Sequence, residues 1–395
     1  MKKPLPSSAS FPKRVLPALL AFAILLAGFV ALYVAAQPAA KDDSSPAAEN
    51  YSEYDNARVL EILSDSCEPD ELSEGHYRGT QVFTAEVLTG QYTGKTLRVE
   101  NAVGPLYGNP AKPGDKLTLI ISTYDSGEIR ATVFQNDRSL TIFLLIAIFM
   151  LATVLVGGKI GLKSLLGLVL TIVVLIWVLL PLLLRGWETI PTTLLICGML
   201  ACACFLLLGG INRKIICAML GTLSGLILAT CFGMAAQALL GIDGYRLEYA
   251  EALLQLRQTG ESTVGIRGLM VAGVEISALG AVMDVAMSIS SAMNELATVG
   301  HEMSVKKLLS SGMHIGRDMV GTMTNTLILA IFGSSTTMIL YIYSLNLPIY
   351  QFLSSDYLST ELISGISSSI GVILSVPLSA AIGAIFYGKS IKKSA

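Results

Sequence analysis

The sequence at residues 140–157 reads LTIFLLIAIFMLATVLVG and contains no charged side chain. Such a run is typical of a helix in the hydrocarbon core of a membrane, because about 20 apolar residues are needed to span it. Comparable runs occupy residues 15–36, 164–184, 190–208, 215–240, 267–293, 319–343 and 363–387. The sequence therefore predicts a polytopic α-helical membrane protein with about eight transmembrane helices.

The overall composition supports this class. The chain has 395 residues, of which 53% are hydrophobic and only 14% are charged, whereas charged residues make up about a quarter of a soluble domain. The lipid bilayer is therefore a predicted partner. A formal net charge of −2 argues against a nucleic-acid partner.

Residues 37–138 have a different character. Residues 37–56 are rich in Pro, Ala, Ser and acidic residues, which predicts a flexible linker. Residues 57–138 predict an extracytoplasmic β-rich domain, because short alternating segments are separated by glycine-containing turns. These segments lie at residues 58–62, 80–88, 96–100, 117–121 and 129–134. Four or five short strands indicate a small β-barrel of OB-like type, inserted after the first transmembrane helix.

The first apolar run defines the start of the membrane region. It follows a basic segment, residues 1–14, and is longer than the usual core of a cleaved signal peptide. We therefore predict that residues 15–36 form an uncleaved signal-anchor helix. A cleaved signal peptide is the alternative, since Ala35 and Ala36 are small residues near its end.

The distribution of Lys and Arg predicts the orientation. With a cytoplasmic N-terminus, fourteen basic residues fall on the cytoplasmic side and four in the short loops outside. This arrangement places residues 37–138 outside, a seven-helix bundle at residues 139–388 and a basic cytoplasmic tail at residues 389–395. The predicted location is the bacterial cytoplasmic membrane, with both termini in the cytoplasm.

The run at residues 267–293 is unlike the others because it contains two acids, Glu275 and Asp284. Ionisable side chains inside a span are costly and usually face a bundle interior or a hydrated path. At about 100° per residue, Asp284 shares one face with small and polar residues: Gly273, Ser277, Gly280, Ser288, Ser291 and Glu295. Glu275 is nine residues from Asp284 and points to the opposite side, so it is a second intramembrane acid with different neighbours.

The next run continues this pattern. If the two helices are antiparallel neighbours, their polar faces would meet in the inner half of the membrane and line a hydrated cleft for a cation or protons. The residues of this candidate pathway are Asp284, Ser288, Ser291 and Glu295 on the first helix and His314, Asp318, Thr322 and Asn325 on the second. The alternative is that the Gly, Ser and Thr positions serve helix packing.

Two segments carry a resemblance to a known family. Residues 280–295, GAVMDVAMSISSAMNE, and residues 316–326, GRDMVGTMTNT, resemble the hallmark stretches of the YibE/YibF-like family of bacterial membrane proteins. The turns at residues 88–95 and 112–115 are similar to that family's external region. The resemblance extends over most of residues 75–387. It implies a multi-pass membrane protein, but it implies no settled activity and no functional residue.

These features favour a membrane permease or an ion- or proton-coupled transporter of unknown substrate. An assembly or signalling scaffold that acts through the external barrel is the alternative, and an intramembrane aspartyl protease using Asp284 and Asp318 is a remote one. We expect no enzyme, because motifs such as GxSxG, HExxH and the P-loop are missing from the sequence. We also expect no cofactor and no metal site. A partner subunit or a homo-oligomer is compatible with the sequence.

Overall fold

The structure is a computed structural model that describes residues 12–37, 50–124, 128–245, 247, 249–260, 262–299 and 304–393. Three predicted segments lie wholly or partly outside the described residues: the basic N-terminus at 1–11, the linker at 38–49 and the last residues of the tail, 394–395. The chain forms two compact units. One comprises Pro38–Thr153, and the other comprises Met1–Gln37 together with Val154–Ala395.

The first unit contains a closed β-barrel. Its strands are β1 (Asn50–Asp65), β2 (Glu68–Pro69), β3 (Tyr77–Val87), β4 (Thr96–Val103), β5 (Lys116–Tyr124) and β6 (Ile129–Asn136). The sheet order is β1-β5-β6-β4-β3, and β3 also pairs with β1, so the five long strands close into a ring. Strands β4 and β6 run parallel, whereas the other pairs are antiparallel.

The alternation of the strands fills the barrel interior and confirms the predicted barrel. In β3, the side chains of Phe83, Ala85 and Val87 are buried, and the residues between them are half-buried. Leu119 of β5 and Val99 of β4 join them in one apolar core. A strand whose alternate residues face a core has this period-2 pattern.

The start of β1 differs from the sequence prediction. The sequence predicts residues 50–56 as part of the linker, but they form strand and pair with β5 from Asn50↔Tyr124 onwards. The reason is that main-chain hydrogen bonds to a neighbouring strand do not depend on side-chain polarity. The polar composition of this segment therefore concealed its strand conformation.

The remainder of the chain is helical. The helices are α1 (Pro12–Ala36), α2 (Ser139–Val174), α3 (Leu180–Leu184), α4 (Thr189–Gly209), α5 (Arg213–Leu240), α6 (Ala250–Gln258), α7 (Leu269–Val299), α8 (Val305–Ser334), α9 (Thr336–Ser344), α10 (Ile349–Leu353) and α11 (Asp356–Lys393). A π-helical segment, Leu175–Leu179, joins α2 to α3.

Among the described residues, five helices are long and apolar enough to cross a membrane, and they indicate a membrane-embedded protein. They are Ser139–Leu184, Thr189–Gly209, Arg213–Leu240, Leu269–Thr298 and Leu358–Gly388. Helices α8 and α9 make a sixth if they count as one span bent by 64°. The first of the five contains a break at Gly158, whose φ of 54° and ψ of −133° lie outside the helical region and are tolerated by glycine.

Helix α11 lies at the centre of the bundle and packs against α5, α7 and α8. Small residues allow the close approach. A Cβ atom added at Gly225 of α5 would lie 2.6 Å from Val282 Cγ1 of α7 and 2.8 Å from Ser375 Cβ of α11. Such small-residue contacts are how membrane helices gain van der Waals packing.

Candidate functional site

The predicted polar stripe of α7 lies on the outer face of that helix. Asp284, Ser288 and Glu295 are exposed, and Ser291 is half-buried. The opposite face carries apolar residues that join the bundle core, among them Val282 and Ile289.

The glycines of the stripe are equally uncovered. A Cβ atom added at Gly273 or Gly280 would meet no atom of the described residues within 4 Å. Ser277 is an exception, because its hydroxyl lies 2.7 Å from that of Ser368 on α11. Most of the stripe therefore lies outside the packing face of α7 within the described part of the chain.

The polar stripe of α8 also faces outwards, with its four residues exposed: His314, Asp318, Thr322 and Asn325. The packing face of α8 is formed instead by Gly312 and Gly316. A Cβ atom at Gly316 would lie 3.2 Å from Ile289 Cδ1 of α7 and would also contact Val376 of α11. His314 and Asp318 are each two residues from Gly316, which corresponds to about 200° of helix rotation.

The structure therefore does not bring the two stripes together within one chain. Helices α7 and α8 are in contact, but they meet through Ile289, Met293, Gly312 and Gly316 rather than through polar side chains. The expectation of antiparallel neighbours holds at this contact, since Met293 lies against Gly312 and Ile289 against Gly316. The faces that meet are not the predicted ones, because each helix is rotated about its axis so that its polar stripe points away from the other helix. Glycine surfaces permit the closest approach of two helices.

Glu275, the second acid of α7, is the one that lies inside the bundle. Its side chain is 0% exposed. Thr230 of α5 donates a hydrogen bond from Oγ1 to Glu275 Oε1 at 2.9 Å, and Glu275 Oε2 has no hydrogen-bond partner among the described residues. No salt bridge to Glu275 occurs in the described part of the chain.

The hydroxyl group of Thr230 lies close to two oxygen atoms, one of them the Glu275 carboxyl oxygen. Thr230 Oγ1 lies 2.9 Å from Glu275 Oε1 and 3.0 Å from the Leu226 carbonyl oxygen. A threonine hydroxyl has one hydrogen to donate. With an ionised Glu275, Thr230 shares its one hydrogen between the Glu275 carboxylate and the Leu226 carbonyl oxygen. With a protonated Glu275, the carboxyl group donates to Thr230, which then donates to Leu226. The geometry thus accommodates both protonation states of Glu275.

Other buried hydroxyl groups lie in the same bundle. Thr222 on α5, Ser290 on α7 and Ser379 on α11 have no hydrogen-bond partner among the described residues. The same is true of Thr193, Ser367, Ser369 and Tyr387. A buried hydroxyl without a partner usually costs about 1–3 kcal/mol, so a set of them indicates groups available to water, an ion or a proton.

The sequence contained a signal for part of this set. Residues 364–371 of α11 read SGISSSIG, and the structure buries Ser367, Ser368 and Ser369 in the bundle. Serines at three successive positions cannot all face one neighbour, because they are about 100° apart around a helix. The run therefore indicated a helix surrounded by other helices, as α11 is.

A cavity of about 760 Å³ lies where α8 and α9 are bent against the start of α11. Glu361 is the carboxylate among the residues that line it, and hydroxyl groups of Ser335, Thr337 and Tyr341 also line it. A broken helix exposes main-chain groups that can bind ions or substrates.

The described residues contain no group of three or more His, Cys, Asp or Glu side chains that could hold a metal ion. The acids in the bundle are dispersed, since Glu275 is buried between α7 and α5 whereas Glu361 lines the cavity at the start of α11.

Comparison with known proteins identifies one family. A family model described as YibE/F-like protein matches residues 145–389, which is more than half of the chain. No curated protein and no solved structure matches the chain. The match includes α7, α8 and α11 but not the barrel, so it does not bear on the resemblance of the turns at residues 88–95 and 112–115.

Proposed function

The chain belongs to the YibE/F-like family, and we propose that its helical bundle is an ion- or proton-coupled transporter in which Glu275 binds the coupling proton. The observation that carries this proposal is the burial of Glu275 without a counter-charge among the described residues. An ionised carboxylate in such a place is unfavourable by several kcal/mol. A proton or a bound cation removes that charge, so the site responds to either.

The surroundings of Glu275 support a transport role. Among the described residues, buried hydroxyl groups without a hydrogen-bond partner occur on α5, α7 and α11, and those of α11 extend from Ser367 to Tyr387. They offer positions at which water or a proton can be held as it moves along the bundle. The cavity beside Glu361 is a candidate substrate entry, and its carboxylate favours a cationic or protonated substrate.

The proposal includes a topology of eight crossings. In this arrangement α2 and its continuation to Leu184 cross twice, with the break at Gly158 between them. Helices α8 and α9 together form one crossing, and α1 forms the first. Both termini then lie in the cytoplasm of a bacterial cell, and the barrel lies outside. The Lys and Arg distribution supports this orientation.

The test compares two acids on one helix, Glu275→Gln and Asp284→Asn. The purified protein is reconstituted in proteoliposomes on a solid-supported membrane, and the charge displacement after a pH jump is recorded. We expect Glu275→Gln to abolish the displacement and Asp284→Asn to retain it. If Glu275→Gln retains the charge displacement, Glu275 is not the proton-binding group. If only Asp284→Asn loses the displacement, the proton-binding group lies on the exposed stripe.

A second candidate function is a membrane-anchored scaffold for assembly or signalling. The observation that favours it is the uncovered polar face of α7 and α8, which offers a surface for a partner subunit or a second copy. Deletion of residues 57–137 is the discriminating variant for the role of the barrel. Both variants are tested for complementation of a strain that lacks the protein. If the deletion variant fails to complement while Glu275→Gln complements, the scaffold function is supported.

The aspartyl protease alternative needs two carboxylates at one site. Asp284 and Asp318 are both exposed. Asp318 also lies about 200° around α8 from Gly316, which contacts α7. The geometry of this chain therefore gives no support to a carboxylate pair.

A further inference from the structure

One end of the barrel lies beside the point at which the chain enters α2. The pairs Gly79↔Val103 and Leu117↔Asn136 bring the start of β3, the end of β4, the start of β5 and the end of β6 to this end. We call it the α2-proximal end. It also carries the loop at residues 70–76, which connects β2 to β3, and the loop at residues 104–115, which connects β4 to β5.

The link from the barrel to α2 is short. Strand β6 ends at Asn136 and α2 begins at Ser139, so two residues join them. The three Cα–Cα steps from Asn136 to Ser139 span at most about 11 Å. Because the apolar run of α2 begins at Leu140, the α2-proximal end must lie near the surface of the membrane that α2 enters.

The α2-proximal loops expose large apolar side chains. Leu72 is 90% exposed, Leu106 is 90% exposed and Tyr107 is 75% exposed. The loop at residues 88–95 belongs to the opposite end of the barrel, and its one aromatic residue, Tyr92, is buried. Its exposed residues are Thr, Gly, Gln and Lys. At the opposite end, the described residues Tyr124 and Ile129 are only 36% and 38% exposed. The larger exposure of the α2-proximal loops therefore indicates an interaction surface there.

The loop that carries Leu106 and Tyr107 is held in place by buried polar side chains. Gln81 accepts a hydrogen bond at Oε1 from the Ala111 amide (2.8 Å) and donates from Nε2 to the Ala111 carbonyl (3.1 Å). Asn101 Nδ2 donates to the Asn109 carbonyl at 3.4 Å. The apolar side chains of this loop are therefore presented outwards by a fixed main chain.

A cavity of about 550 Å³ lies at the same end. Its lining combines Leu106 and Tyr107 with the exposed side chains of Gln135, Asn136 and Arg138, and the described residues that line it include no carboxylate. Amide and guanidinium donors next to apolar side chains match the headgroup region of a bilayer, where phosphate and ester oxygens accept hydrogen bonds.

We propose that the α2-proximal end of the barrel docks on the lipid surface of the membrane that α2 enters. Leu72, Leu106 and Tyr107 insert among the lipid headgroups, and Arg138 lies at the level of the phosphates. This docking restrains the barrel against the bilayer. It depends on α2 as a membrane span but not on transport, so it stands whether or not Glu275 carries a proton.

The test measures depth in the membrane with single tryptophans. Trp177 and Trp187 are first replaced by Phe, and Leu106→Trp, Leu72→Trp or Gln91→Trp is then introduced. Gln91 is the matched control, because it is exposed in the loop at the opposite end. The full chain is reconstituted in vesicles with or without bromine-labelled lipids, which quench tryptophan on contact.

We expect the bromine-labelled lipid to quench Leu106→Trp and Leu72→Trp several-fold more than Gln91→Trp. Equal weak quenching at all three positions would overturn the proposal. Because Leu72 and Leu106 lie in different loops and are both highly exposed, misfolding of one variant would leave the other as a test.

Discussion

Replacing Thr230 by Val removes the hydroxyl that contacts Glu275 and keeps the side-chain shape. Thr230 is buried, and its Oγ1 is the hydrogen-bond partner of Glu275 Oε1 among the described residues. In Thr230→Val, neither carboxyl oxygen of Glu275 has a partner within this part of the chain. Leaving a buried polar group unsatisfied costs about 1–3 kcal/mol, so we expect Thr230→Val to lower the free energy of unfolding by that amount.

Glu275→Leu is expected to behave differently. It removes the buried carboxyl group at similar volume. Replacing buried polar partners by apolar groups of the same shape can be nearly neutral or stabilising, and in Glu275→Leu the remaining partner, Thr230, keeps its hydrogen bond to the Leu226 carbonyl. We therefore expect Glu275→Leu to be as stable as the wild type or more stable, and to lose transport.

The two variants and their combination form a double-mutant cycle. In the Glu275→Leu background, Thr230→Val leaves no carboxyl group unsatisfied, so we expect a coupling free energy of about 1–3 kcal/mol. The assay is thermal unfolding in nanodiscs, where about 2–4 °C corresponds to 1 kcal/mol for a unit of this size. If Glu275→Leu is less stable than Thr230→Val, Glu275 is a structural stabiliser and the reasoning fails.

Three further predictions concern packing, reactivity and topology. Gly225→Ala places a Cβ 2.6 Å from Val282 Cγ1 and should destabilise the bundle by about 1–3 kcal/mol. Gly280→Ala, with no described atom within 4 Å of the new Cβ, should be neutral or stabilising by up to about 1 kcal/mol; equal thermal melts would contradict the assigned packing faces. Burial raises the pKa of the Cys67 thiol to about 11, with a further contribution from Asp65, so its alkylation at pH 8 should be about 100-fold slower than that of an ordinary thiol; a normal rate before denaturation would contradict this. In a variant without Cys67, an impermeant maleimide should label Gln91→Cys in intact cells and Lys163→Cys only after permeabilisation, and the reverse pattern would invert the orientation.

The barrel strands could be predicted because their side chains alternate against one core. Phe83 and Leu119 lie at interior positions of their strands, and period-2 patterns of this kind are local in the sequence. The closure of the barrel is not local. It depends on the pairing of β1 with both β3 and β5, and the polar residues 50–56 gave no apolar pattern by which that pairing could be recognised.

The candidate site could be predicted only in part. Helical periodicity correctly placed Glu275 and Asp284 on opposite sides of one helix, but it cannot decide which side faces the bundle. That choice depends on contacts between distant segments, such as Thr230 with Glu275 and Gly316 with Ile289. The apolar face opposite the stripe packs onto α5 and α11, so Glu275 is buried and Asp284 is exposed.

The protonation state of Glu275 is the quantity on which the proposed function depends. Infrared difference spectroscopy of the protein in proteoliposomes detects the carbonyl band of a protonated carboxylic acid. At neutral pH we expect such a band in the wild type, its loss in Glu275→Gln, its shift in Thr230→Val and its retention in Asp284→Asn. A spectrum in which Glu275→Gln leaves every protonated-acid band unchanged would contradict the role of Glu275 as the proton-binding group.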